Sequence, residues 1–110
     1  MPAVRKCRRV CAEPSCTKFM PDNGNQETLS LTVEELEALR LCDLESLDQD
    51  AAAARMDVSR GTLQRMLYSA RRTTAKALTF GLGIQIGGGH YEISGQGCDC
   101  RKLCKNCKFK

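Results

Sequence analysis

DQDAAAARMDVSRGTLQRMLYSARR, Asp48 to Arg72, decides how this chain is read. Asp48 is a good helix N-cap, and the alanines after it let another helix approach closely. Asp57-Val58 reads as a turn, with Asp57 at a position that favours positive φ, which Asp tolerates better than most residues. Ser59 is the next N-cap, and a basic helix runs from it to about Leu78. An alanine-rich helix, a tight turn and a longer basic helix make the helix-turn-helix pattern.

The faces of the second helix divide cleanly. At about 100° per residue, Leu63, Met66, Leu67 and Ala70 lie together and read as core. The opposite face holds Gly61, Gln64, Arg65, Tyr68 and Arg72, with Arg60 and Arg71 at one flank. Arg can fork onto guanine O6 and N7, and Gln onto adenine N6 and N7. Ser59 and Thr62 suit phosphate contacts at a helix start, where free N–H groups already favour anions. The predicted contacts to double-stranded DNA are therefore Ser59, Arg60, Thr62, Gln64, Arg65, Tyr68 and Arg72, with Arg65 the best base reader. An ordinary amphipathic helix with a charged outer face has the same spacing; the agreement of turn, caps and charge favours DNA.

Upstream, Thr32-Val33-Glu34-Glu35 is a capping box that starts a helix from Val33 to Glu45. Leu36, Leu39 and Leu44, with Val33, Leu41 and Cys42, give its apolar stripe, and Cys42 reads as a small core residue. Its other face, Glu34, Glu35, Glu37 and Arg40, is too charged for a hydrophobic seam. That leaves any dimer contact to the chain's two ends or to the segment after the helices. Residues 1–28 carry Pro, Asn, Gly and Cys and the turn signal PDNGN, and read as an extended arm with a short strand near Lys6–Val10. FGLGIQIGGGHYEI, after the helices, reads as a short β-hairpin with His90 at its solvent-facing turn. Its triple glycine lacks the GxxxxGK[ST] frame of a phosphate loop. The expected fold is mainly α. It comprises a basic arm (1–28), a three-helix helix-turn-helix core (29–80), a β-hairpin (81–96) and a cysteine-rich tail (97–110).

That tail holds Cys98, Cys100, Cys104 and Cys107 in the spacing C-x-C-x₃-C-x₂-C. Four thiolates complete a tetrahedral zinc site, and the surrounding Arg101, Lys102, Lys105 and Lys108 favour bound thiolates. Zinc is the first reading. An iron–sulfur cluster is the alternative, although the C-x₂-C-x₂-C-x₃-C-P pattern is absent, and disulfides or free thiols remain. Cys11 and Cys16 are candidate additional ligands if the arm folds against the tail, and Cys7 is a further cysteine there.

Charge is strongly segregated along the 110 residues. The balance is +4 over residues 1–20, −8 over 21–50, +5 over 51–80 and +3 over 81–110. Basic blocks on particular elements point to nucleic acid more firmly than the net +4 does. No run of eighteen apolar residues exists, so no membrane span is expected. MPAVRKCRRV reaches no apolar segment of a secretory signal, so the chain reads as cytoplasmic, where clustered cysteines favour metal over disulfides. Paired carboxylates, a nucleophilic triad and an activated histidine are not evident, so an enzyme is not expected.

KCRRVC, EPSCTKFMP, the run from Leu31 to Arg72, and GGGHYEI ahead of a cysteine cluster occur in that order along essentially the whole chain. Together they resemble the DUF134 (UPF0251) family of small predicted prokaryotic DNA-binding proteins, whose central part resembles region 4 of sigma-70 factors. The resemblance implies a sigma-region-4-like helix-turn-helix over Gln49 to Arg72, acting with the transcription machinery or as a homodimer. Ala51 and Ala52 stand where the family's second helix usually has acids, and Gly61 where its recognition helix often has a side chain. The reading is a sequence-specific DNA-binding transcription regulator with a metal-bound cysteine cluster. Its alternatives are an iron–sulfur redox-sensing regulator and a metal-binding adaptor whose acidic helix docks a basic protein.

Overall fold

Local capping signals set the central helices. In the computed structural model, which describes residues 8–89 and 91–93, α1 spans Val33–Leu39, α2 Gln49–Met56 and α3 Arg60–Phe80. The capping box closes reciprocally, with the Glu35 N–H donating to Thr32 Oγ1 at 3.1 Å and the Thr32 N–H to Glu35 Oε1 at 2.9 Å. Asp48 accepts the Ala51 N–H at 2.8 Å and Ser59 the Thr62 N–H at 3.1 Å, opening α2 and α3. Asp57 ends α2 in the left-handed conformation, φ 59°. Ala52, Ala53 and Met56 of α2 then meet Leu63, Met66 and Leu67 of α3 and Ala38 and Leu41 of the first helix in one buried cluster. Cys42 packs partly buried against it.

The first helix is not a uniform α-helix to Glu45. Arg40–Leu44 forms a π-helical turn, in which the Glu45 N–H donates to the Arg40 carbonyl at 2.9 Å. An i→i+5 bond stacks residue 45 over residue 40, which gathers Glu37, Arg40 and Glu45 on one side. The extra residue also swings Leu44 out to solvent, where a 3.6-residue period had placed it in the core.

The expectation of a mainly α fold with a free arm and a β-hairpin is overturned. The fold is α plus β. β3 (Thr28–Leu31) and β4 (Gly83–Ile86) lie side by side in parallel, Leu29 opposite Ile84 and Leu31 opposite Ile86, so the three helices are the crossover between them. β2 (Lys18–Phe19) adds antiparallel to the other edge of β4, giving a mixed sheet in the order β2-β4-β3. β1 (Arg8–Val10) pairs in parallel with β5 (Tyr91–Ile93) as a separate two-stranded ribbon. The two strands expected to form a hairpin thus join different sheets, each pairing with the N-terminal segment.

The glycines between them explain the divergence. Gly88 and Gly89 both take positive φ, 81° and 97°, and carry the chain over the start of α1, where the Gly88 carbonyl accepts the Val33 N–H at 3.3 Å. That N–H is one of the four a helix start leaves without an internal partner. A second core cluster follows, with Val10, Leu31, Val33, Ala70 and Ile86 buried together. Thr28, Ser30, Gln85 and Lys18 face outward. Among the described residues no helix is long and apolar enough to cross a membrane.

Candidate nucleic-acid interface

The α2–turn–α3 unit presents the first turns of α3 to solvent. Ser59, Arg60, Gly61, Arg65, Tyr68 and Arg72 are exposed, and Thr62 and Gln64 are half-buried. The helical repeat aligns Gly61, Arg65, Tyr68 and Arg72 in one row and Arg60, Gln64 and Tyr68 in another. All seven residues singled out from the sequence therefore lie on one continuous helical surface and its N-cap.

Several of these side chains are already held. Arg65 Nη2 donates to Thr62 Oγ1 at 3.2 Å, and Ser59 Oγ donates to the same oxygen at 3.0 Å. Gln64 Nε2 donates to the Tyr68 hydroxyl at 3.2 Å. The amides of Gln64 and of Gln49, from the start of α2, hold the Tyr68 hydroxyl pKa below its ordinary value. Arg60 sits 3.5 Å from Asp50 of α2, an exposed and weak pair. Arg72 has no ion-pair or hydrogen-bond partner among the described residues. Gly61 has open space: an added Cβ would touch only Arg65 Nη1, at 3.7 Å.

Arg71, at the flank, is exposed and reaches across the surface to the first helix. Its Nε and Nη2 donate to the two oxygens of Asp43 at 3.0 and 2.8 Å, which holds the Asp43 carboxyl below its usual range. The guanidinium also stands 5.9 Å from the Tyr68 ring centroid, within cation–π reach. Glu35 accepts the Ser69 hydroxyl at 2.6 Å, a second tie between α1 and α3. These contacts fix the orientation of α3 against the rest of the fold.

The acidic face of the first helix differs from its sequence reading. Glu34, Glu37 and Glu45 are buried rather than displayed. Glu37 carries Arg40 through two bonds and also accepts the Cys11 N–H at 3.1 Å. Arg55 of α2 reaches the Cys11 sulfur at 3.4 Å. The N-terminal segment is thereby pinned to both α1 and α2. Sequence inspection missed Gln49 and Asp50 as partners of the α3 surface and Arg55 as a partner of Cys11; only the opposite charges of Asp50 and Arg60 across the turn gave any signal.

Of the cysteines proposed to bind metal, Cys11 is buried and Cys16 exposed. Cys98, Cys100, Cys104 and Cys107 lie outside the described residues, as do Cys7 and His90. Among the described residues, no three His, Cys, Asp or Glu side chains converge as a metal site.

Known proteins resemble the chain over nearly its full length. Residues 1–94 match the family described as "Protein of unknown function DUF134". A UPF0251 protein of Ruminiclostridium cellulolyticum is 44% identical over 109 residues, covering 98% of this chain and 85% of the relative. Those of Thermoanaerobacter pseudethanolicus and Desulforudis audaxviator are 47% and 45% identical, over 84% and 94% of this chain and 81% and 67% of their own lengths. No solved structure matches. With the family matched over residues 1–94 and relatives above 40% identity across most of the chain, this protein belongs to the DUF134 family, whose relatives carry the name UPF0251.

Proposed function

We propose that this protein is a cytoplasmic, sequence-specific reader of duplex DNA that acts in transcription regulation and carries a metal at its cysteine-rich tail. The observation that supports the reading best is the exposed face of α3. A capped α2, a left-handed Asp57 and a capped α3 put Arg60, Gln64, Arg65, Tyr68 and Arg72 on one outward surface at the start of a long helix. Such a helix fits the major groove with its N-terminal residues at base edges. Arg65 is assigned to a base, Gln64 to a base or to Tyr68, and Ser59, Thr62 and Arg72 to phosphates.

The tail cysteines Cys98, Cys100, Cys104 and Cys107 are assigned to zinc, with iron–sulfur as the redox-sensing variant. The adaptor reading is the less favoured alternative, because three acids of the first helix that would help dock a basic protein are bonded within the fold. Glu37 and Glu45 hold Arg40, and Asp43 holds Arg71.

Selection from a random duplex pool, followed by titration at several salt concentrations, tests DNA binding. Expected is an enriched sequence and a log–log salt slope of about −0.9 for each phosphate neutralised. Absence of binding even at low salt overturns the reading. Metal content after anaerobic purification separates zinc from iron with acid-labile sulfide.

A further inference from the structure

Between the first helix and the N-terminal segment lies a groove of about 620 Å³ with a mainly apolar lining. Val33, Leu36 and Leu44 contribute from the helix, and Val10, Pro14 and Phe19 from the N-terminal segment. Phe19 and Leu44 keep about half of their surface exposed. None of the α3 residues assigned to DNA lines this groove.

We propose that the groove is the binding site of a small, neutral, apolar molecule. Its volume falls in the range of roughly 300–1,000 Å³ that small-ligand sites occupy. Area argues against a protein in the same place. The surface the groove exposes is a small fraction of the roughly 800 Å² that each partner of a stable protein–protein interface buries.

Charge sets the chemistry of the ligand. Among the described residues Arg40 is the only cation of the lining, and Glu37 and Glu45 hold it at 2.8 and 3.0 Å. The lining therefore offers no uncommitted cation to an anionic ligand. The acids are also committed: Glu37 to Arg40, and Asp43 to Arg71 at 2.8 and 3.0 Å. Glu13 is exposed and accepts the Tyr91 hydroxyl at 3.0 Å. A charge taken from water into such a lining would find no partner to offset its desolvation, whereas a neutral apolar molecule loses nothing on entry and covers apolar surface.

Asp43 also ties the groove to the rest of the fold. Its partner Arg71 stands 5.9 Å from the ring centroid of Tyr68, so a ligand packed beside Asp43 lies two side chains from the exposed face of α3. The inference stands whether or not that face binds DNA, and its test uses neither DNA nor metal.

The neutral apolar fluorophore N-phenyl-1-naphthylamine is titrated into the full chain, beside its anionic relative 8-anilinonaphthalene-1-sulfonate. Expected is saturable binding of one neutral probe per chain, tighter than binding of the anionic one. Leu44→Asp and, separately, Ala12→Trp should each weaken it about tenfold, with the circular dichroism unchanged, since both residues are exposed where they line the groove. Leu78→Asp, at an exposed apolar side chain outside the groove, should leave binding as it was. The proposal is overturned by no saturable binding, by tighter binding of the anionic probe, or by groove variants that act no differently from Leu78→Asp. Binding that weakens as chain concentration rises overturns it in favour of a second copy. If a groove variant loses its fold, the unaltered chain decides. Neutral probe at about ten times its Kd should slow alkylation of Cys16, an exposed lining residue, about tenfold, and an unchanged rate overturns the proposal.

Discussion

Glu37 and Arg40 face each other through two hydrogen bonds, Nε to Oε1 and Nη2 to Oε2, each 2.8 Å, beneath the N-terminal segment. Arg40 Nη1 adds Glu45 at 3.0 Å, and the three side chains are 6%, 11% and 0% exposed for Glu37, Arg40 and Glu45. A π-helical turn makes this possible, because it brings residues three before and five after Arg40 to the same side. Removing one member of a buried charge cluster leaves the rest uncompensated. Arg40→Leu should cost about 3–5 kcal/mol, read as a fall in the urea midpoint at unchanged slope. A loss below 1 kcal/mol would mean that water reaches the cluster freely.

The Asp43–Arg71 pair predicts a modest pH dependence. Both side chains are more than a third exposed, 40% and 46%, so the pair is worth less than about 1 kcal/mol. The folded state lowers the Asp43 pKa from 3.8, first through the Arg71 hydrogen bond. Its contribution is therefore present above pH 3.8 and lost as pH falls through the lowered value. Arg71→Gln should be less stable than the parent at pH 7, with the gap closing in strong acid. A gap that stays constant to the lowest pH would assign the loss to packing.

Cys42 should be a sluggish thiol. Burial, and then the Asp43 charge, raise its pKa from 9.0, with Arg71 pulling the other way. Peptide-resolved alkylation against pH should find Cys42 slower than exposed Cys16 at pH 8. Arg71→Gln should slow it further and Asp43→Asn should speed it. Equal rates for both thiols would show that the helix pair opens faster than the reagent reacts.

On the exposed face of α3 two arginines should behave differently. Arg65→Ala should cost about 1–3 kcal/mol on the selected sequence and relax its preference at one position, whereas Arg72→Ala should weaken all duplexes evenly and reduce the salt slope by about 1. Gly61→Ala separates folding from binding. Nothing in the fold requires glycine there, so the protein should gain roughly 0.5–1 kcal/mol of stability. If DNA backbone approaches that turn, affinity should fall in the same variant.

Gly83 is the opposite case. A Cβ there would lie 2.9 Å from the Phe19 carbonyl, 2.6 Å from Met20 Sδ and 3.0 Å from Thr28 Cγ2, between both neighbouring strands. Gly83→Ala should lose about 1–3 kcal/mol through overpacking, with a lowered melting temperature and no effect specific to α3. A neutral outcome would place β2 farther from β4 than the close approach found.

What the sequence by itself determined lies within a few residues of its signal. Thr32, Asp48 and Ser59 capped the helices, Asp57 took the left-handed turn, and the spacing of Leu63, Met66, Leu67 and Ala70 chose the buried face of α3. Those choices depend on backbone donors and side chains three or four positions away, which the chain carries with it. Strand partners were decided elsewhere. Ile84 pairs with Leu29, across half the chain's length, and Tyr91 with Arg8, across still more of it, while the local pattern suited a hairpin equally well. The charged face of the first helix was likewise legible as charged but not as buried. Its burial required the Cys11 amide and the π-turn to bring partners from 26 residues before Glu37 and five after Arg40. Which strand edge and which carboxylate are covered depends on surfaces that meet only once the helices have packed, and that is a property of tertiary structure.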